Sequence, residues 1–127
     1  MAGFFDGEGC VRIERVRNFF FISVQVTGTH KQTIYELRDQ YGGCVVAMKV
    51  RSVHHNQAYK WRITNRGAAA FLEDVLPFLR QKRIQAIMAL TLQEQISLNA
   101  KKGGIPLSKD TIRARAELKK LIEAAKH

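Results

Sequence analysis

The chain has 127 residues, 46% of them hydrophobic, and carries a formal net charge of +10 at pH 7. This length and composition favour one domain, residues 1–127, over two separate cores. No apolar run could span a bilayer and no signal-peptide pattern opens the chain, so we expect a soluble, intracellular protein in a bacterial or archaeal cytoplasm or an organelle. The charge excess favours nucleic acid as the partner, because clustered Lys and Arg attract phosphate backbones. Cys10 and Cys44 lack the spacing of zinc ligands or a disulfide framework and are expected to be reduced.

The predicted elements begin with a short helix and a β-hairpin. The helix ends in the acidic tetrapeptide Asp6-Gly7-Glu8-Gly9, and the hairpin pairs residues 10–16 with residues 19–27 across a two-residue polar turn. A helix over 31–41 follows, and two glycines stop it. The second predicted hairpin pairs 44–52 with 59–64 across a turn at 54–57. Alternation predicts that the side chains facing the core are Phe20, Ile22, Val24, Val26, Val46, Met48, Val50, Tyr59, Trp61 and Ile63.

Three further helices are predicted after the hairpins. Asn65 is expected to cap a helix over 66–76, and Pro77 breaks the helical pattern before a helix over about 79–99. Ser108 is expected to cap a last helix within about 108–126. The order helix, hairpin, helix, hairpin, helix predicts an α+β core over about 1–99. Its four-stranded antiparallel sheet is covered by helices on one face, and C-terminal helices follow.

The other face of the predicted sheet carries polar and charged side chains. Arg, Lys and Gln contact phosphates and base edges, and a two-stranded ribbon fits the major groove of DNA. An ordinary solvated sheet face is the alternative. Phe19 and Phe21 share this face, which implies cover by DNA, cover by adjoining loops, or a register shifted by one residue. The predicted DNA-binding residues are Arg12, Glu14, Asn18, Ser23, Gln25, Lys49, Arg51, Lys60 and Arg62.

The acidic end of the first helix is the candidate metal site. Negative side chains there oppose the helix dipole and the unpaired carbonyl groups, so the position favours a cation. A hard divalent ion such as Mg²⁺ prefers oxygen ligands of this kind. A plain turn between helix and strand is the alternative, since Asp-Gly sequences are common in turns.

The first nine residues, MAGFFDGEG, resemble the nonapeptide that names the LAGLIDADG homing endonucleases. They match it at Ala2, Gly3, Asp6 and Gly9, and Glu8 stands at the position of the last acid. The predicted order of elements is similar to the family core, so the resemblance covers about residues 1–99. It implies an intron- or intein-encoded enzyme that hydrolyses both strands of a specific DNA site with Mg²⁺.

A single copy of the motif implies a homodimer. In the family the motif helices of two subunits pack across a twofold axis, and such a dimer binds a long pseudo-palindromic site. The implied interface consists of Ala2, Gly3, Phe5 and Asp6. Phe4 and Phe5 would pack on either side of the small residues, while Asp6 would cap or orient the helix end.

The resemblance also implies roles at the catalytic centre. Glu8 would bind the metal, with the carbonyl of Gly7 as a second ligand, and Lys82 would polarise water or neutralise charge on the phosphate. Non-specific phosphate contact or a solvated face is the alternative for Lys82. Thr29 and His30 are candidates for positioning water near the metal.

Three other possibilities follow from the sequence. An RNA maturase or a DNA-binding regulator would keep the basic sheet and lose cleavage. A structural interaction module would use neither feature. The run at 54–56, His-His-Asn, resembles HNH-type nucleases only in these letters and is interpreted as a turn.

Overall fold

The computed structural model describes residues 2–48, 57–101 and 108–125, and in them helices alternate with antiparallel strands. The predicted α+β order of a helix, a hairpin, a helix, a second pair of strands and further helices is confirmed. A short 3₁₀ turn, Leu76–Phe78, precedes the fourth helix. The elements are α1 (Ala2–Glu8), β1 (Gly9–Val16), β2 (Phe19–Gly28), α2 (Lys31–Tyr41), β3 (Cys44–Ala47), β4 (Tyr59–Thr64), α3 (Asn65–Val75), α4 (Arg83–Lys101) and α5 (Lys109–Ala124).

The strands form one antiparallel sheet in the order β1-β2-β4-β3. Val11 pairs with Val24, and Trp61 pairs with both Val26 and Val45. Because side chains alternate along a strand, these pairs place one apolar face against the helices. The predicted inward residues of β2, including Val24 and Val26, are buried as expected. None of the described helices is long and apolar enough to cross a lipid bilayer.

An aromatic cluster joins the helices to the inner face of this sheet. The ring of Phe71 in α3 lies edge-on to the rings of Phe5, Tyr41 and Trp61, with centroids 5.0, 5.1 and 5.2 Å apart. Phe5, Trp61 and Phe71 are fully buried. Tyr41 donates a hydrogen bond to Asp74, and burial together with that bond raises the pKa of Tyr41 to about 12. The cluster therefore fixes α1, α2 and α3 relative to the sheet.

Phe71→Ala is expected to lower the free energy of unfolding by about 3–5 kcal/mol, because it leaves a cavity where three aromatic rings meet. Urea denaturation followed by circular dichroism measures the change. Phe71→Leu keeps most of the side-chain volume and should cost less. A loss below about 1 kcal/mol for Phe71→Ala would contradict the central place of this ring.

β3 meets β4 in a different register from the one predicted. Val45 pairs with Trp61 and packs against the core, whereas Val46 pairs with Lys60 and is 60% exposed. Met48 is 41% exposed. The prediction that Val46 and Met48 face the core is wrong, because a shift of one residue moves every side chain to the opposite face. Other predicted features of this hairpin lie outside the described residues, namely Lys49, Val50, Arg51 and the turn residues 54–56.

Two helix starts also differ from the sequence prediction. Thr64 takes the cap position of α3, but its side chain accepts no capping hydrogen bond from a helix amide. Asn65 is the first helical residue, with a φ of 57°. Asparagine tolerates this left-handed conformation better than most residues, so the predicted cap at Asn65 is wrong by one position. α4 begins at Arg83, four residues later than predicted, because the residues before it are bound by Asp6. The predicted cap of α5 is confirmed, since Ser108 Oγ accepts a hydrogen bond from the Thr111 amide at 3.1 Å.

Candidate functional site

α1 passes into β1 through a tight junction that exposes Glu8. A Cβ atom on Gly9 would lie 2.1 Å from Cδ1 of Phe5 and 2.7 Å from the Phe5 carbonyl oxygen, so only glycine fits there. Glu8, directly before this junction, is exposed, and its carboxylate has no hydrogen bond or ion pair with the described part of the chain. The end of α1 therefore presents one carboxylate beside the carbonyl groups of a helix C-terminus.

Asp6 binds the segment that leads into α4. Its Oδ2 accepts hydrogen bonds from the amides of Arg80 and Gln81 at 3.3 and 3.1 Å, and its Oδ1 accepts one from Lys82 at 2.9 Å. The Lys82 ammonium donates in return to the main-chain oxygen of Asp6. Burial alone would raise the pKa of the Asp6 carboxyl, but the three amide donors and the charge of Lys82 hold that pKa below its usual value. Asp6 thereby fixes Lys82 at the same end of α1 as Glu8.

The predicted dimer interface needs correction at Phe5. Phe5 is fully buried in the chain's own core, because this side of α1 packs inward. Asp6 is half-buried and bonded to the segment before α4, and its part in an interface stays a prediction. Gly3 and Gly7 lie four residues apart on another side, both exposed, and a Cβ atom on either would meet nothing within 4 Å. Ala2 belongs to α1, but its side chain lies outside the description.

The outer face of the sheet, defined as the side away from the aromatic cluster, is polar as predicted. Arg12 is exposed, Gln25, Lys60 and Arg62 are half-buried, and Asn18 is exposed at the hairpin turn. Gln25 of β2 lies directly opposite Arg62 of β4 in the sheet.

Phe19 and Phe21 lie where the predicted register puts them. Phe19, beside the hairpin turn, is 70% exposed, and Phe21 is half-buried on the same side of β2. The predicted register of the first hairpin is therefore correct. Among the explanations left open by the sequence, a register error is excluded.

Ser23 departs from the predicted pattern. It occupies the outer face, opposite Arg12 and Thr64, yet its side chain is fully buried. The prediction that Ser23 is presented at the surface is therefore wrong. The ion pair between Glu14 and Arg62 crosses β2 at the level of Ser23.

Arg12 interacts with side chains of its own strand and with Glu123 of the C-terminal helix. Its pKa is raised by the side chain of Cys10 and by the negative charges of Glu14 and Glu123. Glu123 belongs to α5, so the C-terminal helix borders the outer face along β1. Sequence reasoning missed this neighbour, because no local pattern links α5 to β1.

His30 has a structural role at the start of α2. Its Nδ1 lies 3.3 Å from the Thr33 amide, which donates to it, and 2.6 Å from Thr33 Oγ1. This capping hydrogen bond explains the position of the His30 side chain, and no metal ion is needed to hold it there. A part for Thr29 and His30 in positioning water stays a prediction.

Solved structures match this chain, whereas protein-family models and curated proteins do not. The homing endonuclease I-CvuI, bound to its target with calcium, has a TM-score of 0.72 and 21% identity, with 98% of this chain and 78% of that chain covered. The archaeal intron-encoded homing endonuclease I-Vdi141I, complexed with DNA, has a TM-score of 0.70 and 15% identity, with coverage of 99% and 81%. The LAGLIDADG meganuclease I-AabMI, bound to uncleaved DNA, gives 0.67 and 20%, with coverage of 93% and 42%.

The chain has the LAGLIDADG homing endonuclease fold. The resemblance inferred from the first nine residues is thus confirmed at the level of the fold. The chain corresponds to less than half of the I-AabMI chain, as a unit with one motif helix would.

Within this LAGLIDADG fold, the acidic end of α1 adjoins the basic outer face. β1 starts directly after Glu8, and Cys10, Arg12 and Glu14 follow on the outer face. No group of three or more His, Cys, Asp or Glu side chains suited to a metal occurs within residues 2–48, 57–101 and 108–125. This chain thus offers Glu8 and nearby carbonyl oxygens at this point.

A small cavity at Lys82 is lined by Gln85, a residue that the sequence analysis did not single out. It has a volume of about 220 Å³. Gln85, one helical turn after Lys82, is 5% exposed, and its Oε1 has no hydrogen-bond partner among the residues described. Buried amide oxygens beside a polar space are commonly satisfied by water. The cavity is lined by Gly9, Cys10, Val11, Gln81, Lys82, Gln85 and Ala125.

Proposed function

We propose that this chain is a site-specific double-strand DNA endonuclease, encoded in an intron or intein-like element, that acts as a homodimer with divalent metal ions. The observation that carries the proposal is the position of Lys82. Its ammonium donates a hydrogen bond to the main-chain oxygen of Asp6, two residues before the exposed Glu8. A cation that stabilises phosphate charge and a carboxylate that binds a metal ion can together support phosphodiester hydrolysis.

The residues at the end of α1 fit Mg²⁺. Glu8 and the carbonyl of Gly7 supply oxygen donors, which hard cations prefer, and the Glu8 carboxylate makes no hydrogen bond or ion pair with the described chain. When bound, the ion would activate water and stabilise the leaving oxygen. Glu8 would hold the ion, while Lys82 would neutralise charge on the phosphate. One carboxylate per chain is a sparse site, so a second copy would complete it.

The open side of α1 supports the homodimer. Gly3 and Gly7 present no side chain there, and small residues four apart let two helices approach closely. A twofold contact along this side would bring two Glu8 side chains near each other. It would also align two outer faces along one duplex, which fits a pseudo-palindromic site.

The outer face is the proposed DNA-binding surface. Arg12, Lys60 and Arg62 would contact phosphates or guanine edges, and Gln25 is suited to adenine. Phe19 would lie against the duplex at the hairpin tip, which would cover its exposed ring. Lys49 and Arg51 stay predicted contacts.

Selection of cleaved sites from a random duplex library tests enzyme, metal and symmetry together. With Mg²⁺ we expect recovery of long, pseudo-palindromic sites cut in both strands. With Ca²⁺, whose coordination is larger and more flexible, we expect binding of the same sites without cutting. Affinity should fall steeply as salt rises, because phosphate contacts release counterions.

Other outcomes of this selection separate the alternatives. Enrichment of bound duplexes without cutting in Mg²⁺ would favour a DNA-binding regulator. Stimulation of intron splicing without cutting would favour an RNA maturase. Failure to bind any duplex at low salt would contradict the proposed function and leave a structural interaction module.

A further inference from the structure

An ion pair crosses β2, one of the two central strands, on the outer face of the sheet. Arg62 Nη2 in β4 donates to Glu14 Oε2 in β1, and β2 lies between these strands. Glu14 pairs in register with Phe21, whereas Arg62 pairs with Gln25. The bridge therefore runs diagonally over β2 at the level of the residue halfway between, Ser23.

We attribute the burial of Ser23, on a face that is otherwise open, to this bridge. Ser23 is fully buried, and its Oγ has no hydrogen-bond partner in the described part of the chain. An unpaired buried hydroxyl is unfavourable. The burial of Ser23 is therefore not favoured by any hydrogen bond that its side chain makes with the described residues. A small side chain at this point instead lets two long side chains lie flat across β2.

The charge of Glu14 needs an explanation on a DNA-binding face. A carboxylate there repels phosphates unless a cation compensates it, and Arg62 supplies that cation. A guanidinium has five N–H donors in a planar fork, so the bond to Glu14 leaves donors for a guanine O6 and N7. The side chain of Arg62 remains 41% exposed and that of Glu14 28% exposed, so the pair is accessible to a duplex.

We propose that Glu14, Ser23 and Arg62 act as one base-reading unit that selects a guanine in each half-site. Arg62 contacts the guanine, Glu14 is the positioning residue that fixes the direction of its guanidinium, and Ser23 leaves room for the bridge. Fixing the side chain before binding lowers the entropy that recognition would otherwise cost. This proposal rests on the proposed DNA binding by the outer face and adds the source of its specificity.

The test compares wild type, Glu14→Gln, Arg62→Lys and the double variant in Ca²⁺. Affinities for duplexes carrying each base at each half-site position are measured by fluorescence anisotropy. Glu14→Gln should reduce the preference for guanine at one position by about 10-fold or more. Its affinity for unrelated duplexes should stay equal or rise, because a negative charge is lost. Arg62→Lys should remove the preference at the same position, and the double variant should resemble Arg62→Lys alone.

Two further variants separate the reading unit from general effects on folding. Asp39→Asn removes the carboxylate of the exposed Arg38–Asp39 pair on α2 and should leave the base preference unchanged. Ser23→Ala should keep the guanine preference. Ser23→Leu should lose it, because the larger side chain would displace the ion pair between Glu14 and Arg62 from its position across β2. Thermal unfolding checks that each variant is folded.

The outcomes distinguish this proposal from the proposed function. An unchanged guanine preference in Glu14→Gln, or effects of Glu14 and Arg62 at different positions, would overturn the reading unit alone. Loss of specificity in folded Ser23→Ala would also overturn it. A wild-type protein that binds no duplex would overturn both.

Discussion

Glu8→Gln is expected to reduce Mg²⁺-dependent DNA cleavage by about 1000-fold or more, which corresponds to the several kcal/mol that a metal ion supplies in such reactions. The amide keeps the size of the side chain and removes its charge. No other carboxylate at the end of α1 can substitute, because Asp6 is already bound to three amides before α4. Single-turnover cleavage of a selected site measures the rate.

The control for this variant is an exposed carboxylate elsewhere. Glu73→Gln on α3 makes the same chemical change and should cleave at the wild-type rate. Duplex binding in Ca²⁺ should survive Glu8→Gln to within a few fold, since the outer face is untouched. Cleavage by Glu8→Gln at the wild-type rate would contradict the assignment of Glu8 to the metal.

Most of the fold could be predicted because its patterns are local. Alternating β-branched and aromatic residues gave the first hairpin, including its register, and the outward position of Phe19 followed from counting alone. The motif and the order of elements then indicated the fold. These signals depend on neighbours in sequence, which is why they could be found without coordinates.

The errors arose where long-range contacts decide the outcome. α4 starts late because Asp6, about 75 residues earlier in the sequence, holds the amides of residues 80–82. The buried Ser23 lies at the level of an ion pair whose members are 48 residues apart. Phe5 packs against Phe71 instead of a second subunit. No local pattern carries this information, and the side of α1 that faces inward is fixed only once α3 is in place.

Asp6→Asn is expected to lower the cleavage rate by about 100-fold with little change in DNA affinity, because it loosens the segment that positions Lys82. The amide side chain retains one acceptor oxygen and loses the charge that strengthens its bonds to three amides. Single-turnover rates in Mg²⁺ and binding in Ca²⁺ measure the two effects separately. Asp39→Asn, an exposed change on α2, is the matched control and should alter neither quantity.

The lowered pKa of Asp6 also predicts how stability depends on pH. A carboxyl whose pKa is lower in the folded state stabilises that state fully above the pKa of the unfolded chain, and the contribution is lost as pH falls through the lower folded value. The ordinary aspartate value is 3.8, so the stabilisation is complete at neutral pH and declines below that value. In urea denaturation, wild type should exceed Asp6→Asn in stability at pH 7, and the difference should shrink in strong acid.

A double variant decides whether Asp6 acts through Lys82. Lys82→Met removes the ammonium and retains an unbranched apolar side chain. If Asp6 only positions that ammonium, Asp6→Asn should cost little further activity in the Lys82→Met background, although each change alone is costly. Effects that multiply in full would instead mean that Asp6 contributes to cleavage independently of Lys82. Strongly non-additive rates, with DNA affinity intact, would establish that Asp6 acts in cleavage by holding Lys82 in place.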